Sequence, residues 1–450
     1  MAFTHYLEVK MSKSMRTCSG LIAMAAVAAL GLGACSSGGN SGDEAKPAKS
    51  GEKVEINYMH RLPDGDDMTK VNDVVKKWND EHPDIQVKAE KWQGQATEMI
   101  KKLETDVKAD NAPCLAQVGY SETPELYTKG LLKDVTEEAN KYKDKFAEGA
   151  FNMMKVGDKV VGLPQDTGPL VYYYNADEFK KLGIEVPTTL DEFKEAAKKA
   201  AEQDKYIAAF EPDEALNFFA GQAAAAGDTW YSVDGDKWKV DTTGEGAKTV
   251  ADFWQSMLDD KSVLVMNRWD DSFKNSLTSN KLIGTIGAAW EAALLAGDME
   301  GTDNEGNWKV AQLPDYGEGV MSGPDGGSGI GVTKNCDHPA EAMEFAAWFN
   351  TQIEPLVSQG LVVAATGDVK TPEGLSKFFS GQDVFAELAK ANEVMSKDFA
   401  YIPGFSAVGP EMITAADAAG KGEKKVADIF TAAQDASVKA LKNLQLPVAE

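Results

Sequence analysis

The 450-residue chain is predicted to fold as an α/β protein in two lobes, and three observations predict it. Strand and helix patterns alternate from "KVEINYMH" to "CLAQVGY". The alternation resumes beyond Pro187. Two passages, Val161 to Asn175 and Ser322 to Lys334, stand where a chain would cross from one lobe to the other. Repeated strand and helix units imply a parallel sheet with helices on its faces.

Each element has its own warrant. "KVEINYMH" reads as a strand, "DMTKVNDVVKKWNDEHP" as an amphipathic helix stopped by Pro83, and "IQVKAEKWQ" as a second strand. "ATEMIKKLETDVKADNAP" reads as a helix and "CLAQVGY" as a buried strand. Past Pro187, Thr189 and Glu192 have capping-box spacing, and Leu190, Phe193, Ala196, Ala197 and Ala200 form an inward stripe. The strand "KYIAAF", a helix from Asn217 to Ala225, the helix "GAKTVADFWQSMLDD" and the strand "KLIGTIGAAW" make up the second lobe. From Thr371 onward the chain reads as helices around the aromatic loop "FAYIPGF". The passage "SGPDGGSGIGVTK" is dense in glycine, which suits a hinge; a mobile surface loop is the alternative.

At the start of the chain Lys10, Lys13 and Arg16 precede an apolar run from Leu21 to Leu32, the order of a secretory leader and too short to span a bilayer comfortably. Leu32, Gly33, Ala34 and Cys35 look like a bacterial lipobox, so residues 1–35 are expected to be a lipoprotein signal peptide with Cys35 as the lipidated residue. An ordinary signal peptide with a chance cysteine is the alternative. Residues 36–52 carry nothing to pack and read as a flexible tether reaching about 20 to 25 Å. The body is thus expected at the extracellular face of the cell membrane, held by its lipid.

The formal net charge is −25, and loss of Glu8, Lys10, Lys13 and Arg16 with the leader makes the body more acidic still. Such a surface repels phosphate backbones, so nucleic acid is not expected as a partner. Of four histidines one lies in the leader, and His82 and His338 each precede proline, so no metal site is expected. No P-loop, GxSxG or HExxH sequence is present; "GGSGIG" places Ile330 where the nucleophile elbow needs glycine. No catalytic residue and no cofactor are expected.

The ordered set of "GLPQDTGPLVYYYNADEFKKLGI", "IGTIGAAWEAAL" and "WKVAQLPDYGEGVMSGPDGGSGIGVTKN" behind a lipobox and tether resembles family 1 extracellular solute-binding proteins, the maltose- and oligosaccharide-binding receptors of ABC importers. The resemblance implies a periplasmic-binding-protein-like fold of type II, two α/β lobes with a hinge and a ligand cleft between them. It places residues 53–165 and 329–370 in lobe one, and residues 166–328 and 371–450 in lobe two. It also implies that the strand after the second crossing lies antiparallel to the third strand, which brings Cys336 towards Cys114; a disulfide and two separate thiols both stay open. The implied function is capture of a neutral di- or oligosaccharide for ABC permease subunits, by a chain expected to act as a monomer. A tethered sugar sensor is one alternative. A glycoside hydrolase using Asp166, Asp270, Asp271 or Glu291 is another.

A neutral sugar needs flat rings for its C–H faces and polar side chains for its rim. By resemblance Trp290, followed by Glu291, lines the cleft floor and stacks on a sugar ring; packing between strand and helix is its alternative role. Tyr120 ends a lobe-one strand at the carboxyl edge, where α/β folds put ligands. His60 and Arg61 end the first strand and Trp92 ends the second; for Arg61 a surface salt bridge is as good a reading. Asp166 sits in the first crossing, where a carboxylate can accept hydroxyl hydrogens. Within "VYYYN", Tyr172 and Tyr174 share one face and Tyr173 takes the other. From lobe two, Trp269 with Asp270, the loop residues Tyr401 and Phe405, and Trp230 in an apparent exposed hairpin are expected to complete the subsites, with interhelical packing or capping as the alternative.

Overall fold

The first crossing passage is a single strand 14 residues long, Gly162–Asn175, and it organises everything else. In the computed structural model, which describes residues 53–65, 68–94 and 96–449, the main sheet has seven strands. They are β1 (Val54–His60), β2 (Ile85–Lys91), β3 (Leu115–Gly119), β4 (Gly162–Asn175), β5 (Gly284–Ala288), β6 (Trp308–Ala311) and β7 (Pro324–Val332). Their order is β5-β4-β7-β3-β1-β2, with β6 pairing β4 as well.

The two halves of β4 serve different partners. Gly162 to Pro169 pair antiparallel with β7, whereas Leu170 to Asn175 lie between β5 and β6. One strand therefore serves both sets of partners, and the described residues group as one unit. The sheet departs from the all-parallel expectation. β1 pairs parallel with β2 and β3, but β4 and β7 run antiparallel to their neighbours, as returning chain must.

Local chemistry explains the helices. In Val71–Glu81 the buried residues Val71, Val74, Val75 and Trp78 recur at helical spacing, and the indole Nε1 of Trp78 donates to the Ile85 carbonyl at 2.9 Å. Helix Leu190–Ala201 starts as predicted: the Thr189 hydroxyl accepts from the Glu192 N–H at 3.2 Å. The Glu192 carboxylate turns back to the N–H of Thr188, one residue beyond the N-cap nitrogen that a standard capping box uses. Phe193, Ala197 and Ala200 are buried on its inner face, and Leu190 and Ala196 are half-buried.

The tyrosine triplet follows the alternation of the strand. Tyr172 and Tyr174 lie parallel with centroids 6.1 Å apart on one face, and Tyr173 on the other donates to the Ala288 carbonyl at 2.8 Å. Tyr172 and Tyr173 are fully buried core residues, and Tyr174 is half-buried against them. Cys114 and Cys336 are joined by a disulfide, with Cα atoms 4.4 Å apart, where β7 leaves the sheet beside the start of β3. The leader, the tether and Cys35 lie outside the described residues. Among the described residues no helix is long and apolar enough to cross a membrane.

Candidate functional site

The carboxyl ends of β1 and β3 and the midpoints of both crossing strands are tied by one hydrogen-bonded chain. The Arg61 N–H donates to Gln117 Oε1 at 2.7 Å, and Gln117 Nε2 donates to Ser328 Oγ at 3.0 Å. The Ser328 hydroxyl in turn donates to the Asp166 carboxylate. Tyr120, just past β3, donates its hydroxyl to the Asp166 carbonyl at 2.7 Å. The Arg61 guanidinium forks onto Glu122 at 3.1 and 3.3 Å, and Glu122 also accepts from the Gly119 N–H at 2.7 Å. That is the salt-bridge reading of Arg61.

Burial acts on these groups in opposite directions. It pushes the Asp166 carboxyl up to about 6, against the Ser328 hydrogen bonds and the Arg61 charge. It lowers the His60 imidazole to about 4, so this buried ring is neutral near pH 7, and its Nδ1 finds no partner among the described residues. A carboxyl whose folded value exceeds its unfolded 3.8 lends stability below 3.8 and loses it as pH rises through about 6. Asp166→Asn is therefore expected to gain stability on the parent as pH rises through that window. Melting curves of the two proteins across the window check it, and a constant gap would contradict the buried-carboxyl account.

The opposing wall is aromatic and acidic. Trp290 caps the helix Glu291–Asp298, and its Nε1 donates to the Asp325 carbonyl at 2.9 Å. Trp269 is 55% exposed and lies parallel to Trp290, with 5° between the planes and 6.2 Å between centroids. The Trp269 Nε1 donates to the Glu214 carboxylate, and Asp213 accepts from the Arg268 N–H at 2.9 Å. Glu291 does not face outward: one oxygen accepts from Arg268 Nε at 2.6 Å and the other from the Ala288 N–H at 2.9 Å. Asp325 is buried between the lobes' contributions, and its carboxyl is raised by that burial and then by Glu214 and Glu291. Glu211 and Glu214 are raised in the same way, burial first. Carboxyl oxygens can accept hydroxyl hydrogens, which suits the rim of a sugar.

Two glycines let the rings come this close to the backbone. Gly326 and Gly327 hold φ of +82° and +90°, beside an irregularity in the pairing of β7 with β4. A Cβ on Gly327 would lie 2.6 Å from the Tyr120 ring, and one on Gly326 would lie 3.2 Å from the Trp290 indole nitrogen. Gly327→Ala is expected to cost about 2 kcal/mol in denaturant unfolding, from the strained φ and the clash together. An unchanged midpoint would contradict this packing.

The structure thus gathers Trp290, Trp269, Glu291, Asp166, Tyr120 and Tyr401 around one floor, with Asp270 exposed at the rim, where it accepts from Asn267. Tyr401 is buried and raised by that burial and by Asp325. Two expectations are corrected. Trp230 does not lie in an exposed hairpin but is fully buried just before it, packed against Phe399 and edge-on to Phe430. Phe405 is fully buried edge-on to Tyr231 and Tyr401, so it supports the loop from behind. Trp92 is half-buried in a separate polar groove of about 430 Å³ with Asn57, Lys88, Glu90 and Lys102, which shares no residue with the tryptophan floor. That groove has mixed charge and no ring pair, so the floor is the better candidate.

Sequence reasoning overlooked Gln117, Glu211, Asp213, Glu214, Asp325 and Ser328. The signal for three of them was present: Glu211, Asp213 and Glu214 follow the short strand Ala209–Phe210, the position that singles out Tyr120 in the other lobe.

Comparison with known proteins then places the molecule. Residues 63–352 match the family model described as bacterial extracellular solute-binding protein. The chain is 55% identical to the galacto-N-biose/lacto-N-biose I-binding protein of the ABC transporter from Bifidobacterium longum, whose structure was solved in complex with lacto-N-biose. That comparison covers 89% of this chain and 100% of that one, with a TM-score of 0.83. An ABC-transporter-associated binding protein from B. animalis subsp. lactis, in complex with β-1,6-galactobiose, shares the fold at 22% identity and a TM-score of 0.71, over 89% and 100% of the two chains. Among curated relatives, an arabinooligosaccharide-binding protein from Bacillus subtilis is 22% identical over 61% of this chain and 65% of its own length. A diacetylchitobiose-binding protein from Streptomyces coelicolor is 25% identical over 48% and 51%. The chain thus spans between half and two thirds of the length of these two relatives.

Proposed function

The chain belongs to the bacterial extracellular solute-binding proteins, and on that premise we propose that it captures a neutral disaccharide of the galacto-N-biose or lacto-N-biose type for an ABC importer and leaves it chemically intact. The observation that carries this reading is the parallel Trp269–Trp290 pair set beside buried carboxyl groups. Flat indoles match the C–H faces of a pyranose, and carboxyls match its hydroxyl rim. The choice among neutral sugars rests on the relative with 55% identity.

In this proposal residues 53–165 with 329–370 form one jaw and residues 166–328 with 371–450 the other, hinged where β4 and β7 cross. Contacts made only in the closed form supply the differential affinity that shifts the population. Permease subunits then read the closed shape, and a lipid on Cys35 with the tether 36–52 keeps the body near them at the extracellular face of the membrane. Titration calorimetry against lacto-N-biose, galacto-N-biose and a panel of α- and β-linked saccharides tests the reading. Saturable one-site binding of a β-galactosyl disaccharide, recovered unhydrolysed, is expected. Heat from none of the panel, or cleavage of the sugar, would overturn it.

A further inference from the structure

The geometry points to Arg268 as the positioning residue for the saccharide-stacking face of Trp269, an inference that rests on the functional reading above. The Arg268 side chain is 4% exposed, yet it makes poor use of its donors. Nε bonds Glu291 at 2.6 Å, Nη1 stands 3.8 Å from Asp298, and Nη2 is buried with no partner among the described residues. Burying a guanidinium with so few bonds is costly, so hydrogen bonding alone does not account for an arginine here.

Its planar faces do. The guanidinium carbon lies over two rings, 4.4 Å from the centre of Phe273 and 4.8 Å from the centre of Trp269. Phe273 is fully buried, whereas Trp269 is 55% exposed. Glu291 fixes the guanidinium, and its own second oxygen is pinned to the Ala288 N–H at the end of β5. The sheet therefore sets the orientation of Trp269 through Glu291 and Arg268, and the Glu214 carboxylate holds the indole nitrogen at the far edge. The outcome is a ring held parallel to Trp290 within 5°. Lysine could keep the charge beside Glu291 but has no plane to set against the rings.

The test is a double-mutant cycle read by calorimetry with lacto-N-biose as the probe. Arg268→Lys is expected to weaken binding by about tenfold in the parent and by less than twofold in a Trp269→Ala background, because the arginine acts through that ring. An equal loss in both backgrounds would overturn the assignment, as would parent-like affinity of Arg268→Lys. Should Arg268→Lys fail to fold, Phe273→Leu loosens the same guanidinium without unpairing a charge. It is expected to cost about threefold in the parent and nothing in the Trp269→Ala background, and any other pattern would overturn the assignment. If the parent chain bound no lacto-N-biose at all, the saccharide reading itself would fall and this role with it, a result distinct from binding that fails to show the coupling.

Discussion

Replacing Trp290 by alanine is expected to weaken the best saccharide ligand by about tenfold or more, the loss of one good stacking face. The fold should survive, because the ring is only half-buried and its neighbour Glu291 keeps both of its bonds. Two effects act together in this variant. The sugar loses a flat face beside Trp269, and the Asp325 carbonyl loses the indole donor at 2.9 Å that anchors the second crossing. Trp290→Phe separates them, since phenylalanine keeps a flat face and lacks the donor; it should fall between the parent and alanine. Calorimetry with lacto-N-biose checks both variants. Parent affinity in Trp290→Ala would remove this residue from the site.

Joint replacement of Cys114 and Cys336 by serine should cost about 2–5 kcal/mol of stability while leaving saccharide affinity within about twofold of the parent. The bond spans a sequence separation of 222 residues, so without it the unfolded chain recovers the freedom of a very long loop. It fastens the exit of β7 to the entry of β3, and the proposed floor of the cleft lies beyond the opposite end of β3, at Tyr120. Stability and binding should therefore separate in this variant. Denaturant midpoints and titration on the same sample check it, and a large loss of affinity at full folding would contradict the placement of the bond.

Most of the fold is legible in the sequence because its signals are local. The inward stripe of Leu190–Ala201, the stop at Pro83 and the alternating tyrosines of β4 each depend on residues a few positions apart. Two features were not local. The antiparallel course of β4 and β7 follows from how the chain returns, which strand patterns alone do not reveal; the resemblance implies it for β7 alone. Trp230 and Phe405 are buried by partners such as Phe430 and Tyr231 from remote parts of the chain. Aromatic composition could not separate these rings from the exposed Trp269.

The site divides in the same way. Trp290, Tyr120 and Asp166 stand at strand ends or in a crossing, positions where α/β topology puts ligands, and the fold sets them close together. Asp325 and Ser328 sit in a glycine-dense passage whose glycines suggest only mobility, whereas in the folded chain Gly326 and Gly327 serve close approach of two rings. Gln117 lies inside a buried strand, and its role as a link between Arg61 and Ser328 exists only once β3 is paired with β7.

The account's central claim is that two jaws sharing β4 and β7 close on an uncharged saccharide. Small-angle scattering of the chain with and without saturating lacto-N-biose tests it most directly. A smaller radius of gyration with sugar, reversed on its removal, is the predicted result. Identical scattering curves at a concentration where calorimetry shows full occupancy would contradict it.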